Sequence, residues 1–361
     1  MATEYVRTTA AQNESAAVPA QMPFVSVIMP VRNEEKAIRQ SVGAVMRQDY
    51  PRELMEIIVV DGMSTDKTRE LLAELKAQDE RIRVLDNPGR IMAKGFNIGF
   101  KQARGEVIVM MGGHAEMCPE YVSTCCRLLS QRLAECVGGT LETVSQTPEA
   151  EAISAALTSR FGVGSVAFRL GTNEHRYVDT VAFGAYRREA INGAGVLDEE
   201  FVRNQDDEFN HRLRKLGARI LLAPEIHCRY YSRSSLSGLW RQYFNYGLWK
   251  VRVLQKHPRQ MQVRHFVPAL FVSALGFFLL TSSLSRFTKF AFVGLCGLYL
   301  AANLAASVQV ALKNRRRWWL LPSLPVIFAV LHFSYGCGFL LGLVRFRHYW
   351  KTPDSKVEPA H

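Results

Sequence analysis

Phe24-Val25-Ser26-Val27-Ile28-Met29-Pro30-Val31-Arg32-Asn33-Glu34-Glu35 opens the ordered pattern of this chain: a short β-rich run that stops at a proline and gives way to a polar loop. From Glu34 to Arg47, Ile38, Val42, Val45 and Met46 recur at i, i+4, i+7 and i+8, which predicts a helix. The pattern then repeats its order without repeating its residues. Glu56–Val60 is a second strand, and Ser64-Thr65-Asp66 looks like the N-cap of a helix carrying Leu71, Leu72 and Leu75. Ile82–Leu85 is a third strand, followed by a helix through Ala93, Phe96, Asn97 and Phe100; Val107–Met111 is a fourth, followed by a helix from Pro119. Strands that alternate with helices imply an α/β fold with a doubly wound, mainly parallel sheet. Ligands of such sheets bind past the carboxyl ends of the strands.

The last hundred residues follow another rule. Phe266–Ser285, Phe290–Leu312 and Trp318–Val344 carry no charge. About 20 apolar residues at about 1.5 Å each cross a hydrocarbon core of roughly 30 Å, so all three are candidate spans. The third, at about 40 Å if straight, holds Pro322, Pro325, Gly336, Gly338 and Gly342 and is expected to tilt or re-enter, leaving the C-terminus cytosolic. The expected domains are a disordered lead over 1–22, an α/β body over 23–238, an amphipathic interfacial segment over 239–265, a transmembrane region over 266–350 and a tail over 351–361. No apolar core that would mark a signal peptide occurs in Met1–Gln21, so the body is expected to stay cytosolic, on the inner face of the plasma membrane.

The formal net charge is +12. Much of it gathers beside the spans, at Arg241, Lys250, Arg252, Lys256, Arg259 and Arg264 and again at Lys313, Arg315, Arg316 and Arg317. That placement reads as a topology signal and as contact with anionic membrane lipids; no nucleic-acid motif accompanies it. Seven cysteines without a CxxC pair, two of them inside apolar spans, argue for reduced thiols and against a disulfide framework or zinc site.

Four places past strand ends could carry chemistry. Asp61 could bind a base edge or ribose hydroxyls, and backbone N–H groups near Ser64 could hold a phosphate; the same residues equally suit a turn and a helix cap. His114 and Glu116, after Gly112-Gly113, could ligate one divalent cation or simply follow a glycine turn. Asn204-Gln205-Asp206-Asp207-Glu208 opens a helix, where acidic residues favour the dipole and could also supply a general base. The aromatic segment around Trp240, Tyr243, Tyr246 and Trp249 suits a membrane surface or sugar stacking.

These stretches together resemble family 2 glycosyltransferases. The resemblance rests on Val25–Glu35 and Val59–Thr68. It extends to the succinoglycan-biosynthesis glucosyltransferase type through Val178-Asp179-Thr180, Phe183–Arg188, Asn204–Asn210 and Gln242–Lys250, and runs from about Phe24 to Lys351. It implies a GT-A fold and a membrane-anchored inverting enzyme. Such an enzyme moves a hexose, glucose first among the candidates, from a UDP-sugar to a lipid-linked saccharide or exopolysaccharide acceptor. It also implies that Asp61 reads the nucleobase within a donor site of Pro30, Arg32, Asn33, Glu34, Ser64 and Lys94. Mg²⁺ or Mn²⁺ would bind at His114 and Glu116, Asp206 would be the catalytic base, and Asp207, Arg187, Arg188, Gln242 and Trp249 would serve the acceptor or the closing segment. The family's Asp-x-Asp or Asp-x-His appears here as Gly112-Gly113-His114, with the first aspartate missing. Three outcomes are open: Glu116 or Asp206 completes the site, a water stands there, or metal use is impaired. A processive synthase and a non-catalytic nucleotide-sugar-binding subunit are the alternatives. The first is disfavoured by the absence of Gln-x-x-Arg-Trp after Gln242, the second by retention of His114, Asp206 and Asp207.

Overall fold

The computed structural model describes residues 22–145, 147–164, 166–231, 235–314 and 317–352. Nearly all of the expected lead, the tail beyond residue 352, Ser232, Arg233, Arg315 and Arg316 lie outside them. The chain divides into two compact units. One comprises the chain up to Thr143 with Ala167–Tyr231, and the other Val144–Val166 with Ser232–His361.

The first unit is built on nine strands: β1 Val25–Val31, β2 Met55–Asp61, β3 Ile82–Asp86, β4 Val107–Met110, β5 Ala115–Met117, β6 Cys136–Val144, β7 Arg176–Tyr177, β8 Ala182–Arg187 and β9 Ile220–Tyr231. They form one sheet in the order β3-β2-β1-β4-β8-β6-β9-β5, with β7 against β9. The four strands expected from the alternation pair in parallel. Beyond β4 the sheet turns antiparallel, at β8 on β4, β8 on β6, β5 on β9 and β7 on β9. The sheet is therefore mixed, parallel over β1 to β4 and antiparallel beyond.

Helices cover both faces: α1 Ile38–Met46, α2 Thr68–Gln78, α3 Met92–Gln102, α4 Tyr121–Ser130, the single turn α7 Ala167–Leu170, α8 Arg188–Ala194 and α9 Gln205–Lys215. The two-residue period of the strands decides which residue meets which layer. Val25, Val27, Met29, Ile57 and Val59 pack with Val42, Val45, Leu72 and Tyr121 on one face. Ile28, Ile58, Val60 and Ile108 pack with Phe96, Phe100, Phe209 and Leu213 on the other.

The second unit holds α5 Pro148–Leu157, α6 Arg160–Val163, α10 Leu236–Lys256, α11 Val263–Thr281, α12 Arg286–Lys313 and α13 Leu324–Arg345. The last three are long and apolar enough to cross a membrane. Side chains such as Leu270, Phe277, Leu280, Phe287 and Leu298 on α11 and α12 are more than half exposed, as lipid-facing positions would be. The third stretch is one continuous helix after a short turn. Trp318–Leu320 forms a 3₁₀ turn, and α13 then runs unbroken for 22 residues, with Pro325 in its first turn where no N–H partner is lost. Its glycines are packing sites. A Cβ on Gly338 would lie 2.0 Å from the Phe244 carbonyl oxygen of α10, and one on Gly336 2.6 Å from the Pro268 oxygen of α11. Small residues let backbones approach this closely.

Two expected boundaries move. Residues 144–166 belong with the apolar helices: Ala152, Ile153, Ala156 and Leu157 of α5 pack with Leu239, Val310, Ile327 and Phe328. The expected interfacial segment is mostly α10, and its charges are not all solvated. Arg252 is fully buried, donating to Gln255 Oε1 at 2.7 Å and stacking 4.8 Å over the Tyr349 ring.

Candidate active site

The loops that leave β1 and β2 are laced together by their own polar residues. Asp61 ends β2 with no exposed surface, accepting from the Ser64 hydroxyl at 2.5 Å and the Ser64 N–H at 3.1 Å, with Arg69 Nη1 at 3.4 Å. The Asn33 N–H donates to Ser64 Oγ at 2.8 Å, and Asn33 Oδ1 accepts from the Thr65 N–H at 2.9 Å. Asn33 has φ of 54°, a left-handed conformation that asparagine tolerates, which lets its side chain turn back across the neighbouring loop. The Asp61 carboxylate is therefore covered by Ser64 and Arg69.

The helix begins at Thr68, later than expected, and several N–H groups up to its first residue are used locally: Ser64 by Asp61, Thr65 by Asn33, Lys67 by Glu35 and Thr68 by Asp66. A segment rich in Asn, Ser, Thr and Asp satisfied its own backbone instead of extending the helix. Arg32 is exposed with its stem across Gly62, and Lys94, in the first turn of α3, folds over Gly89. Pro30 packs under α3 at Gly95.

Past β4, Gly113 offers its carbonyl to Ser41 Oγ at 2.8 Å. His114 Nδ1 stands 2.9 Å from Glu34 Oε1, with the imidazole 40 % exposed and its edge against Tyr230 at 5.2 Å. Glu116 does not share this contact. Its carboxylate accepts the Tyr231 phenol hydrogen across the β5–β9 pair. Burial, with the Glu116 hydrogen bond and charge adding to it, pushes the Tyr231 phenol up to about 12. Among the described residues no three His, Cys, Asp or Glu side chains gather as a metal cluster. Gly112 leaves room beside the Phe183 ring, where a Cβ would meet Cε1 at 3.1 Å.

Helix α9 brings the acidic motif to the same edge. Gln205, its first residue, is 8 % exposed and directs Nε2 to Met92 Sδ at 3.3 Å, tying the start of α9 to the start of α3. Asp206 Oδ1 accepts from the Asp207 N–H at 2.9 Å, and both side chains are half-buried. One turn on, Asn210 donates to Thr180 Oγ1 at 2.7 Å and accepts from the Tyr186 hydroxyl at 3.2 Å. This network anchors the helix that carries Asp206 to Thr180, just ahead of β8, and to the side chain of Tyr186. Glu208 is not available to a substrate, since it is buried in a two-pronged pair with Arg212 at 2.7 and 3.0 Å.

Two of the expected acceptor or closing residues, Arg187 and Arg188, lie elsewhere in the first unit. Arg187 pairs with Val107 at the beginning of β4, the sheet edge opposite the strand ends described above, and its guanidinium donates to the Leu129 carbonyl. Arg188 donates to the Gly105 and Ala103 carbonyls and stacks on Phe100. Both arginines clamp backbone. In the second unit Trp249 is 4 % exposed against Phe346, and Gln242 donates to the Tyr246 hydroxyl at 3.0 Å. The Glu34–His114 contact was missed from sequence, where the two lie 80 residues apart and no local pattern joins them.

A family model described as Glycosyl transferase family 2 matches residues 26–193, which contain β1 to β4, Asp61 and His114. The chain is 29% identical over 333 residues to the dolichyl N-acetyl-alpha-D-glucosaminyl phosphate 3-beta-D-2,3-diacetamido-2,3-dideoxy-beta-D-glucuronosyltransferase of Methanococcus voltae, covering 90% of this chain and 98% of that one. It is 29% identical over 326 residues to the succinoglycan biosynthesis protein ExoA of Rhizobium meliloti, covering 89% and 95%. Among solved structures, the mannosyltransferase PcManGT from Pyrobaculum calidifontis, in complex with GDP-Man and Mn²⁺, superposes with a TM-score of 0.54 at 19% identity. That match covers 88% of this chain and 89% of the other, and it supports the GT-A-like fold. Residues 26–193 therefore carry a glycosyl transferase family 2 domain, followed in the chain by three candidate spanning helices, and the protein is a glycosyltransferase.

Proposed function

We propose that this glycosyltransferase is a membrane-anchored inverting hexosyltransferase of the inner membrane with its catalytic body in the cytosol. It transfers glucose or a related hexose from a UDP-sugar to a lipid-linked or exopolysaccharide acceptor. The observation that carries the reading is Asp206, held half-buried in the first turn of α9 beside the start of α3, at the edge where the parallel strands end. The three apolar helices and the relatives, one named for a dolichyl sugar phosphate and one for succinoglycan biosynthesis, support an acceptor held at a membrane.

In this reading Asp206 takes the proton from the acceptor hydroxyl as that oxygen bonds to the anomeric carbon and the bond to the diphosphate breaks. The Asn210–Thr180–Tyr186 network holds α9, and hence Asp206, in place. Donor contacts come from the Pro30–Glu34 loop, Asp61 once uncovered, Ser64 and Lys94, with Asp207 facing the acceptor. The residues at His114 fit a divalent cation completed by oxygen ligands, since an exposed imidazole backed by a carboxylate is a suitable ligand. Bound there, Mg²⁺ or Mn²⁺ supplies positive charge to the departing diphosphate, which then needs no second carboxylate to protonate it.

A panel of labelled UDP- and GDP-hexoses, offered to the purified full chain in native-lipid nanodiscs with Mg²⁺, Mn²⁺ or chelator, tests the reading. Transfer of one residue from a UDP-hexose supports it. A ladder of products replaces it with a processive synthase, and no transfer from any donor with binding retained replaces it with a nucleotide-sugar-binding subunit.

A further inference from the structure

The sequence lacks an acidic partner for His114 within its own motif, yet the fold supplies one from another strand end. Glu34 leaves the β1 loop and places Oε1 2.9 Å from His114 Nδ1. Both ends of that contact are fixed through the backbone. The Glu34 N–H donates to Thr68 Oγ1 at 2.7 Å, and the Gly113 carbonyl accepts from Ser41 Oγ. The path depends on Gly113, because a Cβ there would lie 2.9 Å from Glu34 Cγ and 2.9 Å from Val31 Cγ1. The nearest carboxylate in sequence, Glu116, is engaged by Tyr231 instead.

A carboxylate only accepts hydrogen bonds, so in the neutral imidazole Nδ1 carries the hydrogen and Nε2 keeps its lone pair. A carboxylate behind an imidazole in this way fixes the tautomer and raises ligand basicity at metal sites. We propose that Glu34 is the positioning residue for His114, presenting Nε2 to a divalent cation and standing in for the acidic partner that Gly112 cannot provide. This rests on the reading of His114 as a cation ligand. With no three-residue cluster among the described residues, the remaining ligands are oxygens of a nucleoside diphosphate and water, so cation and nucleotide bind interdependently.

The test is a Mn²⁺ titration of the full chain in nanodiscs, read from the electron paramagnetic resonance signal of free Mn²⁺, with UDP, with GDP and with neither. Glu34→Gln keeps shape and removes charge; Gly113→Ala keeps every polar atom and displaces Glu34. Each is expected to weaken Mn²⁺ binding by about 10–100-fold without changing the circular dichroism, while Glu116→Gln leaves it at the wild-type value. Wild-type affinity in both Glu34→Gln and Gly113→Ala overturns the proposal, as does a loss confined to Glu116→Gln or a wild type that binds no Mn²⁺. If Mn²⁺ binding responds to Glu34→Gln but UDP never tightens it, the positioning role stands and the UDP-donor reading falls.

Discussion

Replacing Gly338 by alanine adds one methyl group at the tightest point between α10 and α13. The new Cβ would lie 2.0 Å from the Phe244 carbonyl oxygen, 2.8 Å from its carbon and 3.0 Å from its Cα. All three are helix backbone, so no flexible side chain can yield. An ordinary carbon–oxygen approach is about 3.3 Å, which requires the helices to part by about 1.3 Å locally. The seam is continuous, since Gly247 and Gly342 make comparable backbone contacts, with Tyr335 and Leu248. A gap of 0.5–1 Å already forfeits roughly a quarter to a half of each dispersion contact, so the loss spreads along the interface. We expect a cost near the upper end of the overpacking range, about 3 kcal/mol. Gly297→Ala is the internal control, because nothing lies within 4 Å of its Cβ position and alanine is the better helix former by about 1 kcal/mol. Thermal unfolding in detergent micelles at one scan rate, followed by tryptophan fluorescence, should place Gly338→Ala below wild type by about 6–12 °C and Gly297→Ala at or above it. If the two variants melt together, the close seam does not hold α13.

Hydrogen bonds from the Arg81 guanidinium hold the Asp79 carboxyl below its ordinary value of 3.8 against the opposing effect of burial. A depressed folded value means that Asp79 stabilises the fold above that ordinary value and loses the contribution as pH falls through the lower folded one. Asp79→Asn should therefore lower stability at neutral pH and flatten the acid limb of a melting-temperature profile below about pH 4; an unchanged acid limb would assign the limb to other carboxylates. A membrane-crossing α13 would place residues 314 and 352 on opposite sides of the bilayer. Cysteines placed singly at Asn314 and Thr352, in a background without native cysteines, should label with an impermeant thiol reagent from opposite sides of the membrane. Labelling from one side would mean that α13 does not cross.

The parallel half of the sheet was legible because each strand there is followed by a helix with its own period, so the apolar residues declare both elements. The antiparallel half was not, since β5, β7 and β8 are two to six residues long and their partners are distant in sequence. Likewise nothing in Pro148–Leu157 announces that its alanines pack against apolar helices more than 150 residues later. Motif reading placed Asp206 on the first turn of a helix correctly, but it could not see that Arg187 and Arg188 begin at the opposite sheet edge. There the strand direction, not the local sequence, decides which end faces the site. The third apolar stretch was expected to tilt or re-enter on account of its length, prolines and glycines. Its local signals have local uses: Pro325 sits where a helix accepts proline, and Gly336, Gly338 and Gly342 serve the contacts of a continuous helix.

The central claim is that Asp206 accepts the acceptor's proton, and single-turnover kinetics of Asp206→Asn test it most directly once a donor is found. The variant keeps the shape of the side chain and the Asp207 N–H contact while removing the base. Turnover should fall by about 10²–10⁴-fold with donor binding, read by calorimetry, nearly unchanged. Near-normal turnover in Asp206→Asn, together with its loss in Asp207→Asn, would contradict the account and move the base one residue along α9.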